Sequence, residues 1–395
     1  MHILTKTLGH CAWQGKRKAR MKIEQIRVIP LVEDPPAGGW PRGELPARNE
    51  YTLLEVGTDE GVFGLGSVYT SARLTEAAVE LLRPQWEGEM AIEPARVSEK
   101  LHQSTFWQGR GGTVTHAISG IDIALWDIFG QVTGQPVSRL LGGCYRDRIK
   151  PYASLSMSQQ RFVEHMEEAL ARGFKAVKIG WGPFGRESRQ RDEGLVKLAR
   201  NTLGADVELM VDPGASGRYW AHGYKWALET AKMLRDYDVT WFEEPLRPDD
   251  MQSYIKLAEN APLPITGCEV LTRRQSFMPW IENRAVDFIQ PDLTKVGGLT
   301  EGLRIAQHAY DHSIMTIAHG WNTAVGLAAD MQLMAALPTA RWVEYKTPSP
   351  FIDELLPAPL PIDEEGFVPI PSAPGLGVAW NRDGVEKLSG MRLSN

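Results

Sequence analysis

The stretch ELMVDP, residues 208–213, is an apolar run that ends on a carboxylate, and similar runs recur through the second half of the chain. Amphipathic helices separate them, and this alternation predicts an α/β fold with a closed parallel (β/α)8 TIM barrel. A doubly wound open sheet is the alternative, but no glycine-rich fingerprint follows an early strand. The eight strand candidates are IKPYASL (149–155), AVKIG (176–180), ELMVDP (208–213), VTWFEEP (239–245), PITGCE (264–269), DFIQPD (287–292), IMTIAH (314–319) and RWVEY (341–345).

The chain divides into a mixed domain over residues 21–147, the barrel over 148–347 and a C-terminal segment, 348–395, that we expect to return to the first domain. In the mixed domain, the strand-like runs 22–32 and 51–68 and a turn at Asp59-Glu60-Gly61 predict an antiparallel meander. AISGIDIALWDIFGQVTG (117–134) has the apolar spacing of a helix. Residues 1–20 are basic and lack a signal-peptide core, so we interpret them as a disordered tail or the product of an upstream start codon. A basic targeting or oligomer-contact arm is the alternative.

Bulk composition excludes several classes of partner. A net charge of −6 argues against binding to nucleic acid, which needs concentrated positive charge. No run approaches the roughly 18 apolar residues of a membrane span, so we expect no membrane association. The cysteines Cys11, Cys144 and Cys268 form neither a disulfide framework nor a zinc pattern, which favours a reducing, cytoplasmic location.

Ionisable residues end the strands one after another. Because the carboxyl ends of parallel strands meet at one mouth of a barrel, these side chains should converge there. Asp212, Glu243 and Glu269 end the third, fourth and fifth strands, and three converging carboxylates repel one another unless a cation neutralises them. Oxygen ligands predict Mg²⁺, with Mn²⁺ as the alternative, rather than zinc.

Asp292 and His319 end the sixth and seventh strands, which are neighbours in a barrel. A carboxylate beside an imidazole selects its tautomer and raises its basicity, as a general base requires. An Asp–His pair alone is weak evidence, but beside a divalent-ion site it indicates abstraction of a proton next to a carboxylate.

The chain from about Met21 to Gly375 resembles the mandelate racemase subgroup of the enolase superfamily. This resemblance implies an N-terminal α+β capping domain over a modified barrel, with Mg²⁺ held by Asp212, Glu243 and Glu269. It also implies that Asp292 and His319 form the family's dyad. The motifs that carry the resemblance are AISGIDIALWD (117–127), GFKAVKIG (173–180), MVDPG (210–214), WFEEP (241–245), GCE (267–269), PDLTKVGG (291–298), AHGWNTA (318–324) and WVE (342–344).

Two further catalytic residues follow from the same resemblance. Lys178 matches the first lysine of the subgroup's K-x-K motif, and Glu344 matches an acid that donates a hydrogen bond to the substrate carboxylate. Gly180 replaces the second lysine of that motif, so one of two opposed bases is missing. Loss of that base favours dehydration, in which one imidazole can take the α-proton and return it to the departing hydroxide.

The function predicted is therefore a Mg²⁺-dependent lyase that dehydrates a sugar acid, aldonic or aldaric, to a 2-keto-3-deoxy acid. A racemase, epimerase or cycloisomerase acting through the same intermediate is the first alternative, and a non-catalytic sugar-acid-binding barrel is the second. The resemblance also implies a homo-oligomer, a dimer or an octamer.

Substrate-binding candidates are Arg110, in WQGRGG, and Trp40 and Arg42, in the Pro/Gly-rich segment 32–50. Loops of that length in compact domains are usually functional or disordered. We interpret this segment as a mobile cap that governs substrate specificity.

Because the folding signals begin at Met21, a variant lacking residues 1–20 should keep both its thermal midpoint and its activity. Thermal unfolding and turnover, measured beside the full chain, test this expectation. A large loss of either would show that the basic tail belongs to the fold or to the site.

Overall fold

A computed structural model describes residues 20–33, 49–157, 161–217 and 219–394. The sequence-based interpretation of residues 1–19 therefore lies outside the described residues. Within them, no helix is both long and apolar enough to cross a membrane.

The N-terminal domain begins with an antiparallel meander, as the sequence predicts. β1 (Ile23–Glu33), β2 (Asn49–Thr58) and β3 (Phe63–Val68) lie side by side in chain order. Three helices follow, and the longest packs against the sheet with most of its residues buried. These helices are α1 (Ala72–Trp86), α2 (Pro94–Gln103) and α3 (Thr113–Thr133).

Eight parallel strands form the second domain in the predicted order, which confirms the α/β barrel fold. They are β4 (Arg148–Ser156), β5 (Ala176–Gly180), β6 (Glu208–Asp212), β7 (Val239–Glu243), β8 (Ile265–Gly267), β9 (Phe288–Ile289), β10 (Met315–Thr316) and β11 (Trp342–Lys346). The helices that follow α3 are α4 (Val137–Leu140), α5 (Phe162–Ala171), α6 (Arg189–Leu203), α7 (Tyr224–Asp236), α8 (Met251–Asn260), α9 (Arg274–Glu282), α10 (Gly298–Asp311), α11 (Ala324–Ala335), α12 (Pro350–Asp353) and α13 (Arg382–Ser389). A short strand, β12 (Val368–Pro369), lies between α12 and α13.

The sheet curls so that its first and last strands are adjacent, with β11 paired to β4. No backbone pair joins β10 to β11 among the described residues, but the Gly320 amide after β10 donates to Glu344 Oε2 on β11 at 2.7 Å. Large side chains fill the barrel interior, so it is a packed core rather than a channel. This interior cluster consists of Tyr152, Ala176, Met210, Trp241, Ile317 and Trp342.

Several barrel strands are shorter than the sequence predicts, because the backbone leaves the extended conformation where the ionisable residues begin. Glu244 after β7 has φ +36°, and Cys268 after β8 has φ +85°. Because β8 ends at Gly267, Cys268 and Glu269 lie beyond its ladder. Glu269, Asp292 and His319 consequently lie on connecting segments at the barrel mouth rather than inside the ladder.

The C-terminal segment packs against the N-terminal domain. The Ser394 amide donates to Glu55 Oε2 on β2 at 2.8 Å, and the Arg27 guanidinium on β1 donates to the Arg392 carbonyl at 2.8 Å. The two domains also meet directly, where Thr300 Oγ1 on α10 accepts the Trp126 indole N–H of α3 at 2.9 Å. These contacts join the N-terminal domain to the C-terminal segment and to the barrel helices.

A close approach between β3 and α3 generates a prediction for stability. A Cβ on Gly66 would lie 1.8 Å from the Gly120 carbonyl oxygen, so Gly66→Ala must push the helix from the sheet. We expect a loss of about 3 kcal/mol in the free energy of unfolding, because overpacking a buried contact distorts its neighbours.

Gly194→Ala in α6 is the matched control, since a Cβ at this position would have no neighbouring atom within 4 Å. It should be neutral or stabilise the protein by up to about 1 kcal/mol, because alanine favours helices over glycine. Denaturant unfolding of both variants is the measurement, and equal midpoints would contradict the packing argument.

Candidate active site

Three buried carboxylates come together at the barrel mouth. Asp212 ends β6, Glu243 ends β7, and Glu269 lies two residues beyond β8. One oxygen from each lies within 4.8 Å of the others. The predicted ligand set is thus assembled in one place, and it contains Glu243 rather than Glu244.

The charge of this cluster is poorly compensated. Burial and the neighbouring Glu243 carboxylate raise the pKa of Asp212 well above its usual value. Burial also raises the pKa of Glu243, although Lys178 opposes that shift. Three converging oxygen donors with excess negative charge fit a hard divalent cation such as Mg²⁺ or Mn²⁺. Asp212, Glu243 and Glu269 would hold it.

Glu243 is held in place by the barrel core. Its Oε2 accepts hydrogen bonds from Trp241 Nε1 at 2.9 Å and from Gln290 Nε2 at 2.8 Å, while Lys178 pairs with its Oε1. Sequence reasoning missed Trp241 and Gln290. Strand alternation is the signal that could have found them, because each lies two residues before a strand-end acid, Glu243 or Asp292.

Lys178 bridges two sides of the mouth. Its Nζ contacts Glu243 and lies 2.9 Å from Glu344 Oε1. Burial alone would raise the pKa of Glu344, but Lys178, His319 and the Gly320 amide bring it down to about 2. Glu344 is therefore an acceptor in this arrangement. Donation to a substrate carboxylate would require it to take up a proton, which the approach of a second carboxylate favours.

Asp292 orients His319. Its Oδ2 lies 2.8 Å from His319 Nδ1, and its Oδ1 accepts hydrogen bonds from the Thr294 amide at 2.8 Å and the Thr294 hydroxyl at 2.6 Å. Although burial opposes ionisation, Lys295 and His319 hold the pKa of Asp292 well below its usual range. An ionised acceptor at Nδ1 places the imidazole proton there and leaves Nε2 as the basic atom.

The basic atom of His319 points to the carboxylate cluster, since Nε2 lies 3.2 Å from Glu269 Oε2. Burial lowers the pKa of His319, but the charges of Glu269 and Glu344 and the hydrogen bond to Asp292 together outweigh burial, and the net result is a pKa of about 9. A cation bound to Glu269 would oppose this protonation, because it would neutralise the charge that favours it. A candidate general base and a candidate metal site therefore lie next to each other.

Lys295 belongs to the same group, although the sequence analysis gave it no role. Its Nζ lies 3.2 Å from Asp292 Oδ2 and 4.1 Å from the centre of the Tyr69 ring, which comes from the N-terminal domain. Its position three residues after Asp292, in PDLTKVGG, is the signal that could have found it. The Lys295 ammonium keeps Asp292 ionised as the partner of His319.

Arg110, the predicted substrate-binding residue that the structure describes, is not part of this group. Arg110 lies on an exposed loop after α2, with its guanidinium 5.7 Å from the centre of the Phe106 ring. Trp40 and Arg42 lie outside the described residues. Gly180 does lie at the mouth, where a Cβ would be 3.3 Å from Asp212 Cβ, so this position offers no side chain for proton transfer.

Comparison with known proteins covers both domains. Residues 46–142 match the family model described as the mandelate racemase / muconate lactonizing enzyme N-terminal domain. Residues 161–384 match the model described as the enolase C-terminal domain-like family.

Individual relatives include enzymes of sugar-acid chemistry. The chain is 33% identical to the D-galactarolactone cycloisomerase of Agrobacterium fabrum, over 85% of this chain and 90% of the relative. It is 30% identical to the D-xylonate dehydratase of Haloferax volcanii, over 85% of this chain and 84% of the relative. The crystal structure of the 3,6-anhydro-D-galactonate cycloisomerase from Zobellia galactanivorans superposes with a TM-score of 0.83 at 29% identity, covering 93% of this chain and 99% of that one.

The repulsion within the carboxylate cluster generates a prediction about metal binding. Mg²⁺ should raise the thermal midpoint of the wild-type protein, and EDTA should reverse the rise. Asp212→Asn and Glu269→Gln should lose most of this response, because each removes a formal charge from the site. Without metal, Asp212→Asn should be at least as stable as the wild type, since the raised pKa of Asp212 means that its ionised form opposes folding.

Asp287→Asn is the matched control. Its carboxylate accepts the Ile265 amide at 2.8 Å and is absent from the cluster. Thermal shift with and without Mg²⁺ measures all four proteins. An unchanged Mg²⁺ response in Asp212→Asn, or a lost response in Asp287→Asn, would contradict the assignment.

Proposed function

This chain belongs to the mandelate racemase subgroup of the enolase superfamily, and from that premise we propose that it is a Mg²⁺-dependent sugar-acid dehydratase. It removes the α-proton of the acid and eliminates water to give a 2-keto-3-deoxy acid. The observation that carries the proposal is the single oriented base. His319 Nε2 faces the carboxylate cluster, and Gly180 provides no second base beside Asp212.

The substrate is held by its carboxylate at the mouth. When bound at Asp212, Glu243 and Glu269, the cation would polarise that carboxylate and increase the acidity of the α-hydrogen. Lys178 lies between Glu243 and Glu344, where its ammonium can also contact the substrate carboxylate. Preorganised donors of this kind stabilise the negative charge that develops as the proton leaves.

His319 then acts twice. Nε2 accepts the α-proton as the Cα–H bond breaks, and Asp292 at Nδ1 stabilises the resulting imidazolium. The electron pair forms the Cα–Cβ double bond while the β-hydroxyl leaves, and Nε2 returns its proton to that hydroxyl, which departs as water. The enol product tautomerises to the 2-keto-3-deoxy acid. One base therefore suffices for both proton transfers.

A cycloisomerase is the second candidate, and the names of two similar proteins favour it. Abstraction of the α-proton is common to both reactions. The two products differ in composition, because a cycloisomerase product has the mass of its substrate whereas a dehydratase product has lost one water. A screen of aldonic acids, aldaric acids and their lactones with Mg²⁺, read by 2-keto-acid formation and by mass, separates the two.

Exchange of the α-hydrogen in D₂O tests the role of His319. His319→Asn should abolish both product formation and deuterium incorporation at Cα, because His319 Nε2 is the oriented base that faces the proposed metal site. Asp292→Asn should keep the Mg²⁺ response yet slow turnover by roughly two to four orders of magnitude, the range for general acid–base groups. Lys178→Ala should also slow turnover, through loss of its ammonium beside the substrate carboxylate.

His308→Asn is the control for the histidine substitution, since this imidazole lies 3.4 Å from Glu282 and away from the cluster. The His308→Asn variant should exchange the α-hydrogen and turn over the substrate at the wild-type rates. Wild-type exchange in His319→Asn would make another residue the base, with Lys178 to be tested first. Loss of exchange in His308→Asn would indicate that histidine replacement acts through the fold.

A further inference from the structure

Lys346, the last residue of β11, lies at the barrel mouth. Trp342, Glu344 and Lys346 alternate along the strand and share one face. Trp342 packs in the interior cluster and Glu344 contacts Lys178, so Lys346 occupies the next layer, toward the N-terminal domain. Two residues of strand place it about 6.6 Å farther along the strand axis than Glu344.

Lys346 is a buried cation whose charge is poorly compensated. It is 7% exposed, and its Nζ lies 4.3 Å from the centre of the Trp321 ring and 5.8 Å from that of Tyr51. In the described parts of the chain it forms no ion pair with a carboxylate, whereas Lys178 and Lys295 each do. Burial lowers the pKa of Lys346 to about 8, against the opposing charges of Glu33 and Glu344.

Burying an ammonium without a partner is unfavourable, and cation–π contact recovers only part of the lost hydration. An anion that enters the mouth would supply the missing partner. A charged acceptor also binds an ammonium more strongly than a neutral hydroxyl does.

The spacing matches a particular class of substrate. The proposed function places the substrate carboxylate in the layer of Lys178 and Glu344, one repeat of the strand below Lys346. An extended six-carbon chain with C–C bonds of about 1.5 Å separates its terminal carboxyl carbons by about 6 Å. A second carboxylate at the far end of such a chain would therefore reach Lys346.

We propose that Lys346 binds the distal carboxylate of an aldaric acid, and that the substrate is this dicarboxylate rather than an aldonic acid. The proposal rests on the proposed function for the position of the first carboxylate. Trp321 and Tyr51 exclude water around the ammonium, which strengthens its pairing with the anion.

Matched substrates test this inference. Glucarate with gluconate, and galactarate with galactonate, differ only in whether C6 is a carboxylate or a hydroxymethyl group. The wild-type enzyme should prefer one aldarate over its aldonate by at least about tenfold in kcat/KM. Lys346→Met should remove this preference of roughly tenfold or more, chiefly through KM for the aldarate, because a site built around a charge loses most when that charge is removed.

Two further variants separate recognition from structure. Lys346→Arg should retain a measurable part of the preference, because it preserves the positive charge. Lys150→Met is the matched control, since Lys150 pairs with Glu208 at 2.7 Å at the start of β6, and it should leave the preference unchanged. Lys346→Met should keep or raise the thermal midpoint, because it removes a buried charge.

The substrate preference of the wild-type enzyme and of Lys346→Met decides the role of Lys346. A wild-type enzyme that turns over aldonates but not aldarates would overturn the inference and leave the proposed function standing. An equal loss on both substrates in Lys346→Met would assign the residue a structural role. If no sugar acid is turned over, the proposed function fails, and calorimetric binding of glucarate and gluconate with Mg²⁺ decides the role of Lys346 separately. Tighter binding of glucarate that Lys346→Met abolishes supports it, and equal binding refutes it.

Discussion

The repulsion among three buried carboxylates is the constraint on which the site depends. Asp212, Glu243 and Glu269 belong to one contact network with two further carboxylates, two lysine ammoniums and one imidazole. Five carboxylates against two ammoniums leave three negative charges, which a divalent cation would reduce to one and a protonated His319 to none. With all five carboxylates ionised, a cation and an imidazole that takes up a proton bring the network to neutrality, and both belong to the chemistry of α-proton removal.

The barrel arranges this network in layers. Aromatic residues close the interior below it, with the Trp241 and Trp342 rings 5.2 Å apart and the Tyr152 and Trp241 rings 5.3 Å apart. This apolar floor keeps water from the underside of Glu243, so the pairing with Lys178 acts in a medium of low polarity, where charges interact strongly. Strand alternation therefore determines both which side chains form the floor and which charged groups stand directly above it.

The sequence predicts the eight strands, their order and the group of residues at the mouth, because apolar runs and strand-end charges are local patterns. It overestimates the length of β9 and β10, whose ladders contain only two residues each. The reason is that their last residues turn out of the sheet to direct Asp292 and His319 into the mouth. Lys295 lies inside a recognised motif, and Lys346 lies two residues after another. The aromatic rings that they contact come from distant segments, Tyr69 for Lys295 and Trp321 for Lys346, so only the folded structure shows where their charges lie.

In the proposed function, proton removal and substrate choice depend on different layers of the mouth. The acid–base groups lie on the barrel itself, whereas the rim combines the N-terminal domain with the barrel, since Tyr51 on β2 donates its hydroxyl to the Trp321 carbonyl at 2.9 Å. That bond ties the position of the N-terminal sheet to the indole that lies against Lys346. A substitution in the rim can therefore alter which protein group contacts Cβ of the substrate without moving His319. Under the proposed mechanism, such a division would let one barrel site carry out the first proton transfer while the rim determines what happens at the rest of the substrate.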